Sequence, residues 1–140
     1  MKQIAFTVKG EPVGKGRPRF TKAGHCYTPE KTASYEALVG FAYRNSARGY
    51  TFEYPVRVTI KAFFKPPKSK SKKAVEDMLS GRVLPAKKPD IDNIVKIILD
   101  GLNKVAWKDD TQVIDLMIQK RYSMEPMVAV LIEGIEEEGR

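Results

Sequence analysis

Val56-Arg57-Val58-Thr59-Ile60-Lys61-Ala62-Phe63-Phe64 is the stretch that decides the fold. Apolar residues at 56, 58, 60, 62 and 64 alternate with Arg57, Thr59 and Lys61. That period of two is the mark of a strand with one buried face. Pro66-Pro67 ends it. Upstream, Ile4, Phe6 and Val8 alternate in the same way and predict an opening strand. Downstream, residues 113–122 and 127–133 read as two more strands, joined near Glu125-Pro126.

The segments between the strands carry a helical period. Thr28-Pro29-Glu30 supplies a cap, a proline at the first position and an acid in the first turn. Tyr35, Leu38, Val39, Ala42 and Tyr43 follow as an apolar stripe, and Gly49 ends the helix. A short helix is expected from Ala74 toward Gly81, and a strongly apolar one from residue 92 to about 103. Residues 10–28 read as a long Gly/Pro/basic loop. The order β-α-β-(α)-α-β-β predicts an α+β fold with a single mixed β-sheet and flanking helices. One domain over residues 1–132 and an acidic tail over 133–140 are the expected division.

The chain has 140 residues and a net charge of +8, from 25 Lys+Arg against 17 Asp+Glu. With 42% hydrophobic residues it has enough apolar material for a core, which excludes global disorder. The positive charge favours a polyanionic partner. One cysteine, Cys26, excludes an internal disulfide framework and a Cys-rich zinc site. A single histidine, His25, excludes most catalytic triads. No apolar run is long enough for a membrane span, and the first residues lack a secretory leader, so a cytoplasmic, nucleoid-associated protein is expected.

Against this basic background, Asp90, Asp92, Asp100, Asp109, Asp110 and Asp115 crowd into one short segment. On a helical wheel of about 100° per residue, Asp92, Asn93, Lys96, Asp100 and Asn103 form one polar stripe on an otherwise apolar helix. Carboxylates in such a stripe are oxygen donors suited to Mg²⁺, with Mn²⁺ as the alternative. Divalent metal beside a phosphodiester activates water and stabilises charge, and Lys96 is placed to neutralise phosphate. The plain alternative is a capped helix with ordinary i,i+4 pairs and an Asp-Asp turn. Two competing motifs fail. Asp90-Ile91-Asp92-Asn93 opens like an EF-hand loop, but Val95 stands where glycine is required. Gly10 to Gly16 is one residue short of a P-loop and lacks its Ser/Thr, which excludes a nucleotide cofactor.

Taken in order, Lys88-Pro89-Asp90-Ile91-Asp92-Asn93-Ile94-Val95-Lys96, Leu99-Asp100-Gly101-Leu102-Asn103 and Asp109-Asp110-Thr111-Gln112-Val113 resemble the RusA family of Holliday junction resolvases. The resemblance is strongest over residues 88–120. It implies a RusA-like fold and a homodimeric, Mg²⁺-dependent endonuclease that nicks four-way junction DNA symmetrically. It implies Asp90, Asp92 and Asp110 as metal ligands and Lys96 as the essential lysine. Asp109 and Asp100 match recurrent positions, Asp100 as a partner that orients Lys96. Pro89 departs from members with a basic residue before the first Asp.

Two basic stretches supply candidate DNA contacts. Lys68, Lys70, Lys72, Lys73, Lys87 and Lys88 lead directly into Asp90. Lys15, Arg17, Arg19 and Lys22 form a second loop with Phe20 and Tyr27, a mixture suited to an open base at a branch point. Phe20 is either a wedge or a packing residue. Trp107 is expected in the core, and Met117, Met124 and Met127 as core or interface filler. Two rivals stand beside the resolvase reading: a branched-DNA-binding protein without cleavage, and a nuclease acting on flaps or RNA.

Overall fold

The computed structural model describes residues 1–16, 19–24, 26–27 and 29–136, the side chains of residues 19, 20, 26 and 27 excepted. Strand β1 spans Gln3–Lys9. The short strands β2, Arg19–Phe20, and β3, Cys26–Tyr27, pair with each other. Helix α1 spans Glu30–Ala47, β4 Val56–Phe64, α2 Lys72–Leu79 and α3 Ile91–Leu102. A 3₁₀ turn, Asp110–Gln112, leads into β5, Val113–Tyr122, and β6 is Met127–Gly134.

Four strands form one mixed sheet in the order β1-β6-β4-β5. Only β4 and β5 are parallel; β6 is antiparallel to both β1 and β4. Registration turns the alternating residues into rows. Phe6, Val130, Ile60 and Ile118 lie side by side, and so do Ile4, Ile132, Val58 and Leu116. These rows form the face that α1 and α3 cover. The first three members of each row are buried, whereas Leu116, on the edge strand, is 45% exposed. Each large apolar side chain fully buried there contributes roughly 1.5–3 kcal/mol.

Helix α3 is held by Ile94, Ile97, Ile98 and Leu102, all wholly buried. It packs against α1 and β5. Two glycines allow the close approach of α1 and α3. A Cβ on Gly101 would lie 2.9 Å from the carbonyl oxygen of Glu36 and from Cβ of Val39, and Gly40 faces the Gly101 carbonyl from the other side.

Several expectations are corrected. The loop over residues 10–28 contains the β2–β3 pairing. Thr28 lies outside the described residues, and Pro29 takes the N-cap position with Glu30 first in the helix. The buried stripe of α1 is Tyr35, Val39, Tyr43 and Ala47, while Leu38 is exposed. Spacing by four matches the line along which α1 meets α3 and β1. The end of α1 falls at Ala47, with Arg48 in the left-handed region just ahead of Gly49. Helix α3 begins at Ile91 with Asp90, not Asp92, at its N-cap. Met117 and Met124 are exposed and not in this core, because one is on the edge strand and the other in the turn before β6. Strand β6 continues through Gly134, beyond the expected limit.

Candidate nuclease site

Helix α3 and edge strand β5 enclose a groove of about 480 Å³. Asp92, Lys96 and Asp100 enter it from one face of α3, and Asp110 from the 3₁₀ turn. Its apolar wall is Ile91, Val95, Leu99, Leu116 and Ile118, where two of the core rows reach the sheet edge. Asp90 borders an adjoining pocket of about 800 Å³ with Asn93, Lys88 and the Gly14–Gly16 backbone.

Local structure fixes Asp110. Trp107 is wholly buried and donates its indole Nε1–H to Asp110 Oδ1 at 2.8 Å. Gln112 anchors the same turn: its Oε1 accepts from the Lys108 and Asp109 amides, and its Nε2 donates to the carbonyls of Phe52 and Tyr54. Asp109 accepts from the Thr111 hydroxyl at 3.0 Å. Burial pushes the Asp110 carboxyl above the usual aspartate value. The Trp107 bond and Lys96 pull it down, Asp100 and Asp109 push it up, and the net direction is upward. Asp110 is thus a partly desolvated acid, while Asp92, across the groove, is exposed.

The carboxylates of Asp90 and Asp92 have no hydrogen-bond or ion-pair partner among the described residues; Asp90 meets α3 only through its carbonyl, which accepts from the Ile94 amide at 3.0 Å. Both are exposed at the N-terminal end of α3, where acids favour the helix dipole and where they are open to a cation. Lys96 and Asp100 do form the expected i,i+4 pair, with Nζ 3.6 Å from Oδ2.

The trio implied by the motif is only partly assembled. Asp92 and Asp110 share the groove, whereas Asp90 borders the pocket next to it. Among the described residues, no three acidic, histidine or cysteine side chains converge into a ready-made metal cage. The donor chemistry nevertheless fits Mg²⁺, which commonly takes one or two carboxylates and completes its shell with water and phosphate.

The predicted basic residues divide. Lys22, Lys68, Lys70, Lys72, Lys73, Lys87 and Lys88 are exposed. Ser71 caps α2 by accepting from the Ala74 amide, so Lys72 and Lys73 stand in a first helical turn, and Lys73 pairs with Asp77 at 3.3 Å. Lys87 Nζ lies 5.2 Å from the Phe64 ring centre. Arg17 and His25, and the side chains of Arg19, Phe20, Cys26 and Tyr27, lie outside the described residues. Lys15 is different: its ammonium bonds Glu36 and lies 2.9 Å from Asp100 Oδ2. Burial works against its charge, but the bonds and charges of Glu36 and Asp100 outweigh it and raise its pKa. Sequence reading missed both Glu36 and the anchoring role of Gln112. Gln112 was visible as the last member of Asp-Asp-Thr-Gln; Glu36 left no local signal.

Comparison with known families decides the assignment. The model of the family described as endodeoxyribonuclease RusA matches residues 9–133. The chain belongs to the RusA family. A protein of Bacillus subtilis (strain 168), described as uncharacterized protein YqaN, is 39% identical over 137 residues, which cover 94% of this chain and 96% of that protein. The RusA match takes in all three helices, β4, β5 and β6 up to Glu133, and only Lys9 of β1. No helix among the described residues is long and apolar enough to cross a membrane.

Proposed function

We propose that the protein is a metal-dependent endodeoxyribonuclease that resolves four-way DNA junctions by paired, symmetric nicks, acting as a homodimer. The observation that carries this reading is the shared groove of Asp92, Asp110 and Lys96 in a RusA-family chain. Asp92 and Asp110, with Asp90 beside them, would hold Mg²⁺ or Mn²⁺. When bound, the metal would supply Lewis-acid stabilisation of the developing charge and activation of water. The chain's own residues do the remainder. Lys96 offers a cation to a phosphate oxygen at the groove mouth. Partial burial of Asp110 strengthens its attraction for a cation beside it. The exposed lysines around α2 and before Asp90 grip the phosphate backbone, a salt-sensitive contact with little sequence content.

A four-way junction has two-fold symmetry, and paired nicks need two sites. Strand β5 is an edge strand, with Ile114 and Met117 each 55% exposed. Such an edge is suited to a second copy.

The test is incubation with a synthetic four-way junction and Mg²⁺. Symmetric nicks that vanish in Asp92→Asn and upon chelation support the reading. Equal cutting of linear duplex, flap or RNA would remove junction selectivity. The separation of Asp90 from the groove favours a second reading, junction binding without cleavage. Tight binding with no nicks at any metal concentration would establish that alternative.

A further inference from the structure

Lys15 sits in the seam between α1 and α3, far from the open surface expected of a DNA-contacting lysine. Its side chain is 17% exposed, and its partners Glu36 and Asp100 are 21% and 28% exposed. The tight seam at Gly101 explains why two carboxylates meet there. The Glu36 carbonyl touches Gly101, the residue after Asp100, so the helices carry Glu36 and Asp100 to the same place. Like charges so close need a cation between them. Lys15 is that cation, delivered by a pinned loop. Its amide donates to the Asn93 carbonyl at 3.0 Å, the Gly16 amide to Thr32 Oγ1 at 2.9 Å, and a Cβ on Gly14 would stand 2.7 Å from Pro89 Cβ.

Asp100 Oδ2 faces two ammonium groups: Lys15 at 2.9 Å and Lys96 at 3.6 Å. The first is a hydrogen bond and the second is too long to be one. Lys96 is therefore steered toward the groove but not committed to Asp100, and it is 63% exposed. Without Lys15, Asp100 would keep Lys96 as its one ion-pair partner and would hold the ammonium to itself instead of leaving it free for a phosphate in the groove.

We propose that Lys15 is a positioning residue: by neutralising Glu36 and Asp100 it leaves Lys96 available to the phosphate in the groove. This rests on the nuclease reading above. It assigns to a residue of the N-terminal loop a part in the rate of cleavage and none in grip on DNA.

The experiment compares the full-length protein with Lys15→Met, Lys15→Arg and the double variant Lys15→Met/Glu36→Gln. Single-turnover nicking is measured at saturating enzyme, and junction affinity is measured in Ca²⁺ across a salt series. In Lys15→Met the nicking rate should fall roughly 10–100-fold, the range for loss of a supporting partner. Junction affinity and its salt slope should stay unchanged, and Lys15→Arg should recover most of the rate. If Lys15→Met does not fold, the double variant, which removes opposite charges together, carries the same test. An undiminished rate in a folded variant overturns the inference. So does a salt slope reduced by about 0.9, the signature of a lost phosphate contact. No nicking by the unaltered protein overturns the functional reading, and this inference with it; nicking by that protein with an unaffected variant overturns this inference alone.

Discussion

Trp107 and Asp110 are three residues apart, and a wholly buried indole holds the Asp110 carboxylate at 2.8 Å. A core side chain thereby sets the position of a groove acid. Replacing Trp107 with Phe removes the donor, and also the five-membered ring, which leaves a small cavity and adds to the cost. Leaving a partly buried carboxylate oxygen without that donor should cost about 1–3 kcal/mol of stability. Nicking should fall by roughly tenfold or more, as for loss of a supporting hydrogen bond. Urea unfolding and single-turnover cleavage measure the two effects. Unchanged values of both would show that the bond holds nothing in place.

Asp110→Asn should separate stability from activity. The amide oxygen still accepts from Trp107, but the charge is gone. In the folded protein the Asp110 carboxyl is raised, chiefly by burial. A raised acid favours the folded state below its unfolded pKa, and this contribution is lost as pH rises through the folded value. At neutral pH the ionised Asp110 is therefore a liability. Without divalent metal, Asp110→Asn should melt higher than the unaltered protein, while nicking is abolished. A lower melting temperature for the variant at neutral pH contradicts the assigned electrostatics.

Alkaline pH should unfold the protein through its buried phenols. Burial pushes Tyr35 and Tyr43 up to about 12 from the usual 10.0. Tyr43 also donates to the Tyr50 carbonyl at 2.5 Å. Both groups have folded values above their unfolded ones. Their contribution is complete below about pH 10 and is lost as pH rises toward 12. Absorbance of phenolate should lag behind that of exposed tyrosine and then rise together with loss of helical signal. Tyr43→Phe should flatten part of that pH dependence. Phenolate formation by Tyr35 or Tyr43 near pH 10 in the folded protein would count against this account.

Gly101→Ala tests the helix seam. The new methyl would stand 2.9 Å from the Glu36 carbonyl, so α1 and α3 must separate. Overpacking of this kind costs about 1–3 kcal/mol. The urea midpoint should fall, and nicking should fall with it, because Glu36 and Asp100 no longer meet across the same distance. A gain in stability from the better helix former would show that the seam has slack.

Much of the sheet was legible from local pattern. Val56–Phe64 matches the expected limits because alternation persists along it and prolines bound it; Val113–Tyr122 matches because it is rich in apolar residues and a turn stands at each end. The short β2–β3 pairing has too few residues to show a period. Asp90 and Asp92 are both good caps, and only the fold decides that Asp90 takes the position. Leu38 and Met117 carry apolar side chains that the sequence assigns inward, yet position on a helix flank and an edge strand leaves both exposed. Asp92, Lys96, Asp100 and Asp110 were readable as a group because three share one helix face. The bond from Lys15 to Glu36 joins residues distant in sequence, so no local pattern announces it.

The side-by-side, same-direction course of β4 and β5 has an architectural corollary. A strand that must restart at the same end as its neighbour needs a long return path. Here that detour contains the lysine-rich stretch, α2, α3 and the acidic turn. On the proposed function, recognition and chemistry would ride on one excursion of the chain, while the scaffold's ladder is built from what lies outside it. Extending the detour near residues 68–71 would alter reach along a nucleic-acid arm and leave the ladder's partners as they are.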